Sequence, residues 1–461
     1  MKTLGRWPAW LFGLALFLFQ GSSWAQNVEI LHRAVDEQGQ GITVMRVWGT
    51  HEEMGFAMGA TLADEIIDGV DEARLLGGIY YSSLRGMMDE MLWQPIEVED
   101  ELTGMLAGIQ SLYPQANVDV LDLKVMNTFG DWGYYGGCRS HACWGDYTTD
   151  GVRSLATRRL DFGTGYDIIK KHVLCAWEPS DGSPRWVNMA WPGYVAVVTG
   201  VNEYGTLVSL HDYGSDFVPE AGSLPRCVAT RLVLTGMDEQ PLAGHLSWAE
   251  GLLTATPVAT GTFINYYAPD GLGGVFTCPA GEVCSVARRP QADYYDGQVI
   301  MTTNSQTDGH TTPYGGDFMA DYYDLGAPKT IEDHFGVMGH SMHLLTVAYR
   351  GRGDMEFLLE GHTDDGPTSV LSVEWSELFP GQVEVDAGTE TDAGTDAGTE
   401  TDAGTEVDAG EETDAGTEVD AGGDVDDGGE GGCACSSSAA SSSPAWFLLV
   451  GIVFCWRRRR N

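Results

Sequence analysis

The sequence predicts an α+β fold built as a layered sandwich, and three observations carry that prediction. Apolar residues recur at helical spacing from residue 50 to about residue 113. After residue 138, short β-rich runs alternate with turns of Gly, Asn, Asp and Pro, and one helical block at 227–253 interrupts them. This order of strands, helices and strands favours a layered sandwich over a βαβ fold. No Gly-rich phosphate motif follows a strand, so no nucleotide site is expected.

The individual elements follow from local patterns. Residues 29–48 are expected to form an opening strand and a bend before a helical region. Thr50 is placed as its N-cap, and Glu53 follows three residues later, which is the pattern of a capping box. Two or three helices then reach Tyr113. Later strands are expected at 185–191, 194–199, 206–211, 298–303 and 344–350, and later helices at 227–236 and 241–253.

Both ends of the chain carry targeting patterns. Residues 1–25 combine a basic start, a short apolar run and small residues at the end, which is typical of a secretory signal peptide. An uncleaved anchor helix is the alternative. Residues 384–430 contain 18 acidic residues and no Lys or Arg, so the stretch 381–432 is predicted to be an extended acidic linker without a core.

The last segment, 433–461, combines a Gly-Cys pair, a short apolar run and four consecutive arginines. It resembles the MYXO-CTERM sorting signal, which implies export, processing near Cys433 by a sorting protease, and display at the cell surface. A simple C-terminal transmembrane helix is the alternative. In either case we expect residues 26–380 to lie outside the cytoplasm. Signal peptidase would act at the other end, and the C-terminal helix would anchor the chain in the membrane before processing.

The charge and the cysteines limit the partners and cofactors. The formal net charge is −42, and the body remains strongly acidic without the linker, which argues against nucleic acid as a partner. Among the nine cysteines, Cys278 and Cys284 are the pair that most readily forms a disulfide. No Cys-x-x-Cys spacing occurs, and His340 and His343 lack a His-Glu-x-x-His pattern. No metal and no cofactor is therefore expected.

The most informative stretch is a predicted β-hairpin that begins at Cys138. A strand, a tight Asp150-Gly151 turn and a returning strand would bring Arg158 and Asp161 back beside the cysteine. A thiol with a cation and a carboxylate as neighbours can become a nucleophile. Taken alone, the cysteine could equally be buried or disulfide-bonded, and the Arg and Asp could form an ion pair without chemistry.

The motifs of this hairpin resemble those of N-terminal nucleophile (Ntn) cysteine hydrolases. They are Gly-Cys at a strand start, Trp-Gly, Thr-x-Asp-Gly at the turn and Arg-x-Leu-Asp-Phe on the return. The resemblance is to the acyl-coenzyme A:6-aminopenicillanic acid acyltransferase group, peptidase family C45, which is related to acid ceramidase and bile salt hydrolase. It spans about residues 45–360, and three further stretches agree with it: 49–59, 198–205 and 302–304.

The resemblance implies a four-layer αββα sandwich and a self-processing enzyme. Cleavage of the Gly137–Cys138 bond would free the α-amine of Cys138 as a base for its own thiol. Asp161 would hold that amine, Arg158 would stabilise the thiolate, and Asn304 would donate to the oxyanion. The substrate would be a small molecule with a linear N-acyl amide bond. A Cys138 acyl-enzyme would be hydrolysed or would transfer its acyl group, without a cofactor.

Four positions leave alternatives open. Asn202 either shapes the wall of the site or caps a turn. His211 stands where the family often has Asn, and Arg139 stands where it often has Ser or Thr after the nucleophile. Cys143 precedes the same Arg-x-x-Asp pattern and is an alternative nucleophile, although the Trp-Gly register and the preceding Gly favour Cys138.

The sequence is therefore divided into a signal peptide (1–25), a helix-rich pro-segment (26–137), a catalytic chain (138–380), an acidic linker (381–432) and a sorting tail (433–461). The competing hypothesis is a catalytically inactive adhesion or binding protein, displayed on the surface, that keeps the same fold. Self-cleavage before Cys138 separates the two hypotheses, because only the enzyme needs the free amine.

Overall fold

The computed structural model of the chain describes residues 27–132, 137–161, 166–236, 242–288, 295–304 and 321–381. The predicted signal peptide, the sorting tail and, except for residue 381, the acidic linker lie outside these ranges. Within the ranges, no helix combines the length and the apolar character that a membrane span requires.

The strands of the described residues form two sheets. In chain order they are β1 Val28–Val35, β2 Gly41–Gly49, β3 Cys138–Trp144, β4 Ser154–Leu160, β5 Lys171–Pro179, β6 Trp186–Ala190, β7 Thr199–Asn202, β8 Leu207–Phe217, β9 Thr260–Tyr267, β10 Gly273–Cys278, β11 Ser285–Arg288, β12 Val299–Thr303, β13 His343–Gly351, β14 Asp354–Thr363, β15 Gly366–Pro367 and β16 Leu371–Glu374. The first sheet has the order β1-β2-β5-β6-β7-β8-β9-β10-β11. The second has the order β12-β3-β4-β13-β14-β15, with β16 paired to β14.

The helices fall mostly before and between the strands, as the sequence predicts. They are α1 His51–Thr61, α2 Ala63–Gly77, α3 Tyr81–Glu90, α4 Glu97–Leu112, α5 Val120–Asn127, α6 Phe129–Trp132, α7 Arg226–Thr235, α8 Leu242–Leu253, α9 Ile331–Met338 and α10 Trp375–Leu378. The predicted capping box is confirmed, because the Thr50 hydroxyl accepts from the Glu53 N–H and the Glu53 carboxylate accepts from the Thr50 N–H.

Three groups of buried apolar residues explain why the sheets and helices pack as they do. One group draws on both sheets and includes Val44 and Leu174 of the first sheet with Ala156 and Leu345 of the second. Another joins the first sheet to helices α1–α5, and the third joins the second sheet to α9. The structure therefore confirms the α+β class, with two sheets that share a core.

Helices α1 and α4 approach each other backbone to backbone. A Cβ on Gly55 would lie 2.0 Å from the Glu101 carbonyl oxygen, and a Cβ on Gly104 would lie 2.0 Å from the Glu52 carbonyl oxygen. Only glycine fits at such a distance. The Glu101 carboxylate also accepts from Arg231 Nη2 of α7 at 2.7 Å. A buried ion pair therefore ties the predicted pro-segment to the later part of the chain.

The predicted strand at 194–199 is wrong, and two asparagines explain the error. Asn127 Oδ1 accepts from the backbone N–H groups of Val195 and Ala196, at 2.8 and 3.1 Å. Asn188 Nδ2 donates to the Ala196 carbonyl at 2.9 Å. Side-chain amides thus satisfy a buried irregular backbone that would otherwise need a ladder partner.

Candidate functional site

The predicted hairpin is present and fixes the position of Cys138. Strands β3 and β4 pair antiparallel, and Cys138 lies opposite Leu160. The turn between them contains Gly151 at φ +83°, a left-handed conformation that favours glycine. Cys138 is 2% exposed and Leu160 is fully buried. The hairpin therefore holds the thiol at the buried start of a strand, directly after Gly137.

Strand β12 pairs with the edge of β3 that faces away from β4. Its last pair joins Thr303 to Arg139, so the next residue in register with Cys138 is Asn304. Directly opposite residues on antiparallel strands have Cβ atoms roughly 5 Å apart. Asn304 is half-buried, whereas Cys138 is buried. The structure thus brings the predicted nucleophile and the predicted oxyanion donor to one end of the sheet.

Arg158 contacts the thiol directly. Its Nη2 donates to Cys138 Sγ at 3.4 Å and to the Leu210 carbonyl oxygen at 2.9 Å. Leu210 belongs to β8 of the first sheet, so the guanidinium is held between the two sheets. Arg158 is fully buried. A buried cation at this distance favours the thiolate over the thiol.

The thiol of the uncut chain is nevertheless protonated near neutral pH. Burial raises the pKa of Cys138 to about 12, and it outweighs the positive charge of Arg158, which acts in the opposite direction. Asp212 and Asp161 also raise the pKa of this thiol. The thiol therefore needs an additional base or cation to become a nucleophile.

Asp161 lies beside the bond that is predicted to break. Its backbone N–H donates to the Gly137 carbonyl at 2.7 Å, and a Cβ on Gly137 would lie 3.4 Å from Asp161 Oδ2. Both carboxylate oxygens of Asp161 accept from Arg159 Nε, at 3.0 and 2.9 Å. Arg159 thus orients a carboxylate next to the backbone nitrogen of Cys138.

His211 joins the two sheets next to this site. Its Nε2 lies 2.5 Å from Ser140 Oγ, and its carbonyl oxygen accepts from Thr262 Oγ1 at 2.8 Å. Burial lowers the pKa of His211 well below 6.5, and the charge of Arg158 lowers it further, so the imidazole is neutral. His211 supports the strand that carries Cys138. No local pattern in the sequence marks Ser140 as its partner.

A buried ion pair beside the thiol was also missed. Arg226 Nη1 donates to Asp212 Oδ1 at 2.5 Å, and both side chains are almost fully buried. The Arg226 N–H donates to Asp131 Oδ1 at 2.7 Å. Both charges of the pair act on the Cys138 thiol. The only signal in the sequence was that Asp212 follows His211, since no local pattern marks Arg226.

Asn202 makes the contacts of a turn residue. Its Oδ1 accepts from the backbone N–H groups of Tyr204 and Thr206, at 3.1 and 3.2 Å. Its Nδ2 donates to the Leu234 carbonyl at 3.1 Å. These contacts agree with the alternative that Asn202 caps a turn.

Cys143, the alternative nucleophile, lies on the opposite face of β3. Its Sγ is 3.1 Å from His334 Nε2, and the thiol donates to the Tyr147 carbonyl at 3.4 Å. Burial raises the pKa of the Cys143 thiol and lowers the pKa of His334, so both groups are neutral. Tyr323 joins this cluster through a hydrogen bond of 2.6 Å to His141 Nδ1.

The remaining cysteines and histidines do not form a metal site among the described residues. The predicted Cys278–Cys284 disulfide is confirmed, and the other described cysteines, at 138, 143, 175 and 227, are free thiols. Across the described ranges, no group of three or more His, Cys, Asp or Glu side chains is arranged to hold a metal ion.

Comparison with known proteins gives a distant structural likeness. No protein-family model matches the chain, and no curated protein sequence matches it either. Among solved structures, the Caenorhabditis elegans N-acylethanolamine-hydrolyzing acid amidase (NAAA) ortholog matches at 13% identity with a TM-score of 0.36. The match covers 46% of this chain and 92% of that chain. Because the TM-score is so low, the function must be inferred from the geometry around Cys138.

Proposed function

We propose that this protein is a self-processing Ntn cysteine amidohydrolase or acyltransferase, with Cys138 as its nucleophile. The observation that carries the proposal is the convergence at one end of the second sheet. Arg158 donates to the Cys138 thiol, Asn304 is the next residue in register across from it, and Asp161 lies beside Gly137. We also propose the αββα arrangement. It is supported by one buried group that contains residues of both sheets and by two others in which helices pack on each sheet.

In the first step of the proposed mechanism, the chain cuts itself. Cys138 Sγ attacks the carbonyl carbon of Gly137, the C–N bond breaks, and the α-amine of Cys138 takes a proton. Water then hydrolyses the thioester, which leaves a carboxylate on Gly137 and a free thiol on Cys138. The Asp161 carboxylate lies where it can hold the new amine.

The new amine supplies what the uncut chain lacks. An α-amino group has a reference pKa of about 7.7–8.0 and a thiol one of about 8.5, so the amine can take the thiol proton near neutral pH. Sγ then attacks the amide carbonyl of the substrate, and Asn304 donates to the oxyanion. The amine product leaves with a proton. Water, or a second amine, takes the acyl group from Cys138.

A small apolar cavity lies in the helical part of the structure. Its volume is about 10 Å³, which is room for about one water molecule and not for an acyl group. Its lining residues are mostly apolar or aromatic: Gly69, Ala73, Met126, Phe129, Ile168, Trp191, Pro192 and Tyr194. It lies where helices α2, α5 and α6 meet the segments around residues 168 and 192. We propose small molecules with a linear N-acyl amide bond as the substrate class, on the motifs around Cys138 rather than on this cavity.

The experiment that tests this function uses the purified protein and a panel of N-acyl amino acids, penicillins and N-acyl lactones. We expect release of amine from at least one of these compounds. We also expect Cys138→Ala to release none. A wild-type protein that is cut before Cys138 but releases no amine from any compound would contradict the proposed substrate class.

A binding protein on the same fold is the second candidate, and the buried thiol favours it. Cys138 is 2% exposed, and burial raises its pKa to about 12, as expected for a thiol without chemistry. The two candidates differ in the fate of the Gly137–Cys138 bond. A binding protein would keep this bond intact after prolonged incubation at neutral pH, whereas the enzyme would cut it.

We further propose that the protein is exported and held at the cell surface through residues 433–461. The support is the order of a Gly-Cys pair, an apolar run and four arginines at the end of the chain. Deletion of 433–461 should release a soluble protein that still cuts itself. A truncated protein that stays bound to membranes would contradict this part of the proposal.

A further inference from the structure

Residues that lie opposite one another on neighbouring strands form a row across the second sheet, and the row that contains Cys138 leads to a buried histidine. Leu160 lies opposite Cys138 on β4, and His343 lies opposite Leu160 on β13. Two strand spacings separate Cys138 from His343, which is roughly 10 Å, on the same face of the sheet. Exposure decreases along this row. Asn304 is half-buried, Cys138 is 2% exposed, and Leu160 and His343 are fully buried.

His343 and its neighbour His172 have unmet hydrogen-bonding capacity. Among the described residues, neither ring nitrogen of His343 has a hydrogen-bond partner, and Nδ1 of His172 has none either. His172 Nε2 lies 3.0 Å from the backbone nitrogen and 3.2 Å from the carbonyl oxygen of His362, so it can accept from the first or donate to the second. Nδ1 of the neutral ring is then a donor or an acceptor, respectively. Buried polar groups in proteins are nearly always hydrogen-bonded. This pair therefore requires a polar partner.

The rings of His172 and His343 are neighbours in the core. Their centroids are 6.2 Å apart at an interplanar angle of 74°. His172 reaches this position because Gly361, opposite His343 on β14, has no side chain: a Cβ there would lie 2.3 Å from the His172 ring. The Trp191 ring is 6.4 Å from His343, and Trp191 also lines the apolar cavity.

The chemistry of the pair selects a hydroxyl group. Burial lowers the pKa of His172 to about 4 and the pKa of His343 well below 6.5, so both rings are neutral. A carboxylate would find no positive charge on them. A ketone could only accept a hydrogen bond, whereas a hydroxyl can accept from the protonated nitrogen of one ring and donate to the unprotonated nitrogen of the other.

We infer that His343 and His172 bind a hydroxyl on the acyl chain of the substrate, so that the enzyme prefers hydroxylated acyl groups. This inference rests on the proposed function. The acyl part of the substrate is assigned to this side because the amine must leave toward solvent, and the half-buried Asn304 marks the more open side of Cys138. The acyl chain then extends over Leu160 toward the two imidazoles.

The test uses decanoyl amides of para-nitroaniline that differ only in the position of a single hydroxyl, with plain decanoyl amide as the reference. We expect one hydroxyl position to raise kcat/KM of the mature wild-type protein at least about tenfold over the reference. His343→Leu should reduce that ratio to about one. His343→Gln, which keeps a donor and an acceptor, should retain part of the preference.

His362→Leu is the matched control. It removes a neighbouring imidazole but keeps the backbone N–H and C=O groups that contact His172 Nε2. The preference should therefore survive in this variant. Replacement of an unpartnered buried imidazole by Leu should leave the melting temperature of His343→Leu equal or higher, so loss of the preference would not reflect unfolding.

Three outcomes would overturn the inference, and they have different meanings. If wild type shows no preferred hydroxyl position, or if the preference persists in His343→Leu, the two histidines do not bind the acyl chain; an internal water molecule would then be their partner. If wild type hydrolyses none of these amides, including the plain one, the inference fails. The proposed function fails with it only if the N-acyl amino acids, penicillins and N-acyl lactones also release no amine.

Discussion

The two thiols of strand β3, Cys138 and Cys143, are five residues apart and lie on opposite faces of the same strand. Both are buried, and burial raises the pKa of both thiols. Cys138 contacts the guanidinium of Arg158, whereas Cys143 contacts the neutral imidazole of His334. Burial is therefore common to both thiols, and the charge beside Cys138 is what distinguishes them.

The comparison also shows why a nearby histidine is a poor guide in this protein. The Cys143–His334 distance of 3.1 Å is shorter than the Cys138–Arg158 distance of 3.4 Å. A cysteine–histidine pair activates a thiol only when the imidazole can hold the proton, and burial lowers the pKa of His334 well below 6.5. In contrast, Arg158 remains charged at any relevant pH.

The largest expected difference between the two thiols is in turnover. Cys138→Ala should lower amide hydrolysis at least about 10⁴-fold and prevent self-cleavage, because the nucleophile of both reactions is gone. Cys143→Ala should cut itself normally and keep kcat/KM within about threefold. Amine release from a chromogenic amide and gel analysis of the chain measure both effects. Equal losses in the two variants would contradict the distinction between the faces.

The next largest effect is expected from the amide opposite Cys138. Asn304→Ala should lower kcat by roughly 10²–10³, because an oxyanion donor acts mainly on the transition state. Asn202→Ala is the matched control, since Asn202 hydrogen-bonds the backbone of its own turn and of α7. Asn202→Ala should lower the melting temperature, while its kcat should stay close to that of wild type. A large loss of kcat in Asn202→Ala but not in Asn304→Ala would contradict the oxyanion role of Asn304.

A smaller effect on stability is expected when the pH is lowered. Burial lowers the pKa of His141, which lies on the same face of β3 as Cys143, to about 3. Burial also lowers the pKa of His172 to about 4. A depressed pKa means that stability present above about pH 6.5 is lost as the pH falls, at up to about 1.4 kcal/mol per pH unit and group. Urea unfolding from about pH 7.5 to about pH 5.5 measures this slope.

The matched variant for this prediction is His141→Phe. It removes one of the buried imidazoles, so its free energy of unfolding should depend less steeply on pH than that of wild type. His51 works in the opposite direction: burial alone would lower its pKa, but the hydrogen bond and charge of Glu101 outweigh burial and raise it. A wild-type stability that is constant over this pH window would contradict the prediction of neutral buried histidines.

Features that depend on neighbouring residues could be predicted from the sequence. The Thr50–Glu53 capping box and the hairpin after Cys138 depend on short-range spacing, and so does the Cys278–Cys284 disulfide. Each of them needs only a few consecutive residues, so the local pattern is sufficient.

Features that depend on tertiary placement could not be predicted. The apolar run around Val195 resembles a strand, but Asn127, from a distant helix, satisfies its backbone. The contacts of Ser140 with His211 and of Arg226 with Asp212 cross between elements that no local spacing relates. The part of the site that the hairpin holds was therefore visible in the sequence, while the residues that surround it became visible only in the fold.

The most direct test of the account is the N-terminal sequence and intact mass of the purified wild-type protein after incubation at neutral pH without added protease. The account predicts two polypeptides that remain associated, the second of which begins at Cys138. Alkylation of this material near neutral pH should modify Cys138 and leave Cys143 unmodified. An internal start at Cys143, or a single uncut chain, would contradict the central claim that Cys138 becomes an N-terminal nucleophile.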